Sequence, residues 1–293
     1  MAEWQDRFWN SEDGLRLHYR DYAGPADRPP VLCLPGLTRN ARDFGAVAGR
    51  LAGDWRVIVI DFRGRGESQH DPEPAHYKPE TYAKDVLKLL DQLGIADAVF
   101  FGTSLGGVVT MLLAASDSER IAGALINDIG PVVEPAAIDR LRQYVGKGGR
   151  WANWAEAGEA AASINRLAFP GYTTDDWEAF ARRLCSERAD GSIQPDYDMA
   201  IGEAFANNSG APDFDPWPLL DPLADKPVLI VRGELSDLLS TQTAARMVAM
   251  LPTAELVTIP SIGHAPMLDE PEAIAGIERL LVRVLEATEV EAG

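Results

Sequence analysis

Cysteine and histidine are scarce: 293 residues contain two of the first and four of the second. Cys33 and Cys185 form no CxxC pair, so the chain offers neither a disulfide framework nor a cysteine zinc site, and no metal or other cofactor is expected. Basic residues are also short. Lys plus Arg is 27 against 45 for Asp plus Glu, a formal charge of −18. A phosphate-backbone partner needs a face on which Lys and Arg prevail, and anionic membranes attract clusters of the same residues. Neither nucleic acid nor membrane is therefore an expected partner. The first seven residues are charged and lack an apolar h-region, so no signal peptide is read and a cytoplasmic location is expected. One uncharged run, 98–116, approaches membrane-spanning length, but Gly102, Thr103, Ser104, Gly106 and Gly107 lie near its middle. A strand, a sharp turn and a buried helix explain it better.

What is present is the composition of an ordinary globular protein, 46% hydrophobic and 25% charged. Strand and helix signals alternate over the first part. Residues 7–10 and 15–22 read as a hairpin around Glu12-Asp13-Gly14. Runs 31–34, 56–60 (RVIVI), 98–101 and 121–126 are apolar but for Arg56, as strands covered on both faces are. Between them lie helical patterns at 41–51, 80–93 and 105–115, the second ending at Gly94. From 131 to about 216 no convincing strand is found. Helical stretches at 135–145, 151–168 and 174–188 carry Trp151, Trp154 and Trp177, and 213–218 (DFDPWP) marks a junction. Alternation then resumes with strands 228–231 and 255–259 around a helix at 241–250, and a helix over 271–285 closes the pattern. The fold class expected is α/β, a mostly parallel central sheet with helices on both faces: 1–130 and 217–293 form one core domain, and 131–216 is a helical insertion.

Gly102-Thr103-Ser104-Leu105-Gly106 is a G-x-S-x-G between a buried strand and a helix. The glycines permit a sharp turn and close strand–helix packing, which leaves the serine exposed as a nucleophile over a helix N-terminus. A nucleophilic serine needs a base. Of the four histidines, His264 follows a strand at the edge where ligand sites form in parallel sheets; His18, His70 and His76 have no such placement. The imidazole needs an orienting carboxylate. Asp237, just after the strand 228–231, is the expected acid. Asp128, after the strand 121–126, is the alternative, and Glu234 a weaker one. Leu37, in Leu34-Pro35-Gly36-Leu37, and Leu105 are the expected backbone N–H donors to an oxyanion. Arg39 and Arg42 follow that turn and could pair with a substrate carboxylate, although solvated arginines at a helix start are the plainer reading.

These segments, together with Asp61-Phe62-Arg63-Gly64-Arg65-Gly66-Glu67-Ser68, Gly263-His264-Ala265-Pro266 and their order along the chain, resemble the α/β-hydrolase fold family. The stretch 61–68 resembles that family's structural loop after the fourth strand rather than a phosphate cradle. Many members have His-Gly where this chain has Pro35-Gly36, which leaves the backbone donor intact. The resemblance implies that 131–216 is a cap over the site. Serine at position 104 disfavours the dehalogenases and epoxide hydrolases that use aspartate there.

The expectation is a cofactor-free serine hydrolase of the carboxylic-ester type, acting on a small ester or lactone. The alternatives are C–C bond hydrolysis of ring-fission products, a ligand receptor with a slow triad, or a helical interaction domain on an inactive core. The expected partner is the small-molecule substrate, with a homodimer the macromolecular association left open.

Overall fold

The computed structural model describes residues 2–208 and 214–292, so Asp213 of the expected junction lies outside the described residues. The chain opens with β1 (Gln5–Asn10), β2 (Arg16–Tyr22) and β3 (Val31–Leu34), then α1 (Gly45–Leu51) and β4 (Val57–Ile60). After α2 (Pro79–Leu93) come β5 (Ala98–Thr103), α3 (Leu105–Ser116) and β6 (Ile121–Asn127). There follow α4 (Pro135–Tyr144), α5 (Trp154–Asn165), α6 (Thr174–Leu184), β7 (Cys185–Glu187), β8 (Ile193–Pro195) and α7 (Ala200–Asn208). The last elements are β9 (Val228–Gly233), α8 (Thr241–Met250), β10 (Ala254–Ile259) and α9 (Pro271–Ala292).

Eight strands form one sheet in the order β1-β2-β4-β3-β5-β6-β9-β10, parallel from β4 to β10 and antiparallel at β1–β2 and β2–β4. Every residue of β3 and β4 is buried, because helices cover both faces. Alternate side chains serve opposite layers. Leu32 and Leu34 join Val86, Leu89 and Val109 from α2 and α3 on one face. Val31 and Cys33 join Val47, Ile277 and Val284 from α1 and α9 on the other. α2 ends where the sequence says it should, at Gly94 in the left-handed region with φ 64°.

The segment between β6 and β9 adds no strand to the main sheet, and it is not wholly helical. β7 and β8 pair antiparallel, and Ile193 bridges to Trp151. Three residues per strand are too few to show a period of two, which is why the sequence shows no strand there. Helix α6 accordingly stops at Leu184 rather than 188. The segment has its own core: Ala157, Phe169, Trp177, Phe180 and Ile193 pack together. Among the described residues no helix is long and apolar enough to cross a membrane.

Candidate active site

Ser104 sits between β5 and α3 with φ 52° and ψ −114°, a strained conformation for a residue with a side chain. The flanking glycines are what allow it. A Cβ on Gly106 would lie 2.0 Å from the Leu34 carbonyl oxygen, and one on Gly102 would lie 2.5 Å from the Gly106 carbonyl carbon. Strand, elbow and helix therefore close on one another only without those side chains.

His264 Nε2 lies 2.9 Å from Ser104 Oγ, and His264 Nδ1 lies 2.8 Å from Asp128 Oδ2. The acid beside the imidazole is Asp128, and the expectation of Asp237 is corrected. Asp128 follows β6 directly and turns its side chain inward at φ 56°, fully buried. Its carboxylate also accepts the Gly233 N–H at 2.9 Å and the Ser236 hydroxyl at 2.7 Å. The loop after β9 thus hydrogen-bonds to Asp128 instead of supplying the acid. Asp237 points outward, half-exposed, and accepts two hydrogen bonds from Arg140 of α4 at 2.6 and 2.9 Å. Glu234 accepts the Ser261 N–H at 2.7 Å, which leaves it no part at the imidazole.

The remaining histidines stand elsewhere. His18 is buried between Asp61 (2.7 Å) and Asp6 (3.0 Å). His76 meets Asp71 at 3.1 Å, and His70 is largely exposed. Asp13, Asp71 and His76 converge like metal ligands, but the Arg63 guanidinium already lies on Asp71 at 2.5 Å and Asp13 at 2.8 Å and supplies the positive charge. Arg63 holds the Asp13 carboxyl down to about 2. The glycine-rich loop 61–68 cradles a carboxylate rather than a phosphate: Asp61 accepts the N–H groups of Ala41 (2.6 Å) and Glu67 (3.0 Å).

Leu37 lines the same cavity as Ser104 and His264. Its carbonyl accepts a 2.9 Å bond from buried Arg65, which fixes the turn Pro35-Gly36-Leu37. Leu105 is the first residue of α3, whose leading N–H groups have no intrahelical acceptor. Asn127 ties the elbow to the histidine loop, donating to Thr103 Oγ1 at 3.0 Å and to the Pro266 carbonyl at 2.9 Å. Sequence reasoning missed it. The signal was a polar Asn127-Asp128 pair ending an otherwise apolar strand.

The cavity measures about 320 Å³. Its far walls come from the segment between β6 and β9, including Leu141, Tyr144, Trp151, Phe169 and Phe180. Burial raises the Tyr144 phenol above its usual range, so it stays a neutral hydroxyl. The two arginines after the oxyanion turn separate. Arg42 is engaged by Asp196 (2.7 Å) and by the carbonyls of Cys185 and Arg183 at 3.1 and 3.3 Å. Arg39 lines the cavity. Chemically, the arrangement offers a hydroxyl, a base positioned by a carboxylate, and backbone donors beside a mostly apolar, sheltered space.

Residues 31–277 match the model of the alpha/beta hydrolase family. The 3-hydroxybutyrate-oligomer hydrolase of Cupriavidus necator is 32% identical over 267 residues, spanning 89% of this chain and 90% of that protein. The 2-(acetamidomethylene)succinate hydrolase of Mesorhizobium japonicum is 29% identical over 240 residues, 80% of this chain and 81% of that one. A solved alpha/beta hydrolase from Novosphingobium aromaticivorans superposes with a TM-score of 0.93 at 52% identity, covering 97% of this chain and 99% of that structure. With its elbow, its sheet order and these matches together, the chain belongs to the alpha/beta hydrolase family.

Proposed function

We propose that this hydrolase cleaves a small ester or lactone through an acyl-enzyme. The observation that carries the reading is the continuous line from Ser104 Oγ through His264 to Asp128, at 2.9 and 2.8 Å. Ser104 attacks the carbonyl as His264 Nε2 takes its proton, and Asp128 holds the imidazole and balances the imidazolium. The Leu37 and Leu105 N–H groups receive the oxyanion. His264 then returns the proton to the leaving oxygen, and water repeats the sequence on the acyl-enzyme. In this reading, 131–216 acts as the cap that excludes water and shapes the acyl site. The name of the Cupriavidus relative places its substrate, 3-hydroxybutyrate oligomers, in the ester class, which supports an oxygen-ester substrate here.

The test pairs a fluorophosphonate probe with p-nitrophenyl butyrate. The wild type should be labelled stoichiometrically at Ser104 and turn over repeatedly; Ser104→Ala should lose both. Labelling that survives in Ser104→Ala would overturn the assignment of the nucleophile, and labelling without multiple turnover would identify a receptor instead of an esterase.

A further inference from the structure

Arg39 and Asp43 form an ion pair in the cavity wall that the hydrolytic steps do not use. Arg39 Nε donates to Asp43 Oδ2 at 2.5 Å, and both residues line the cavity. The Arg39 side chain begins beside the nucleophile: a Cβ on Gly36 would meet Arg39 Cγ at 3.2 Å and Ser104 Cβ at 3.8 Å. From there the guanidinium lies over the Phe180 ring, 4.6 Å from its centroid, and its Nη2 meets the weakly accepting Met267 sulfur at 4.0 Å. Asp43 is about nine-tenths buried, and its second oxygen, Oδ1, has no hydrogen-bond partner among the described residues. An unpaired carboxylate oxygen is costly to bury, and the cavity is where a partner can come from.

We propose that the Arg39–Asp43 pair is a subsite for a substrate hydroxyl carried near the scissile bond. This rests on the ester-hydrolase reading and names a feature of its substrate. Asp43 lines the cavity, and a small turn of its carboxylate would bring the unpaired, almost fully covered Oδ1 to the cavity as an acceptor beside the guanidinium N–H donors. A hydroxyl both donates and accepts, so it satisfies the two together. A substrate carboxylate accepts only, and it would sit against the Asp43 charge; the substrate carboxylate that the sequence left open as the lesser reading at Arg39 is therefore disfavoured. A site built to bond a hydroxyl rejects the analogue without one, because its own polar groups are then left unpaired.

The experiment compares kcat/KM within two matched pairs: p-nitrophenyl 3-hydroxybutyrate (each enantiomer) against p-nitrophenyl butyrate, and 2-hydroxyethyl butyrate against ethyl butyrate. Active-site titration with the fluorophosphonate probe corrects every value for intact nucleophile. The hydroxylated member of one pair should be preferred at least tenfold. Asp43→Val should bring that ratio to within about threefold of one, Asp43→Asn should restore part of it, and Arg39→Met, which keeps the packing on Phe180, should also reduce it. Equal rates in both pairs, or a preference that survives both Asp43→Val and Arg39→Met, would overturn the subsite. So would a tenfold preference for p-nitrophenyl hemisuccinate over the butyrate, which marks an anion site. Failure to cleave any ester would refute the ester reading itself.

Discussion

Asp128 holds three donors at once, His264 Nδ1, Ser236 Oγ and the Gly233 N–H. Asp128→Asn should keep the shape but offer an amide where the imidazole N–H needs an acceptor, favouring the wrong tautomer. On the proposed mechanism, kcat for p-nitrophenyl butyrate should fall by up to about 10⁴. Asp237→Asn should change kcat by less than about threefold, since Asp237 meets only Arg140 on a half-exposed surface. A reversal of the two effects would restore Asp237. Ser104 and His264 were legible in the sequence because their signals are local: glycines around a turn, and a histidine just past a strand. The carboxylate beside His264 was not, because the loops after β6 and β9 both carry an aspartate at the same sheet edge. What separates them is a backbone turn, φ 56° at Asp128, that residue identity does not announce.

The buried strands were legible as elements because each carries an unbroken apolar run of at least four residues. The hairpin β7–β8 was not, since two strands of three residues rest on pairing with each other and on the bridge from Ile193 to Trp151 rather than on any pattern of their own. The tryptophans between β6 and β9 also divide by position. Trp177 packs in a cluster with Phe169, Tyr172 and Phe180 at centroid distances of 6.2, 5.0 and 5.6 Å. Trp177→Ala should therefore cost about 3–5 kcal/mol, read as a lower denaturation midpoint in urea. Trp151 lines the cavity. Trp151→Ala should shift the ranking of acyl esters toward longer chains while fluorophosphonate labelling of Ser104 proceeds at a similar rate. An unchanged ranking would remove this segment from substrate selection.

The buried His18 ties distant parts of the molecule together. It bonds Asp6 of β1 and Asp61 after β4, and Asp61 in turn holds the Ala41 N–H beyond β3. Burial alone would lower the His18 pKa, but the hydrogen bonds and charges of Asp61, then Asp6, outweigh it and raise it above 6.5. The folded state thus favours the imidazolium. Its contribution is complete below the unfolded value, about 6.5, and is lost as pH rises through the raised folded value. Melting temperatures measured from pH 6 to pH 9 should fall on the alkaline side, and His18→Gln should flatten that slope. A slope identical to the wild type's would mean that another group governs it.

On the proposed mechanism the acid, Asp128, follows the strand beside the nucleophile's, in the first half of the chain, while the base arrives after β10, an edge strand that among the described residues pairs with β9 alone. A chain leaving the ribosome therefore displays Ser104, the Pro35-Gly36-Leu37 turn and Asp128 before the His264 imidazole is made. On the proposed mechanism, nascent chains and fragments cut before His264 are chemically silent, and ester cleavage reports that the last strand has docked. Turnover can then serve as a clock for the final step of assembly in a cell-free translation reaction.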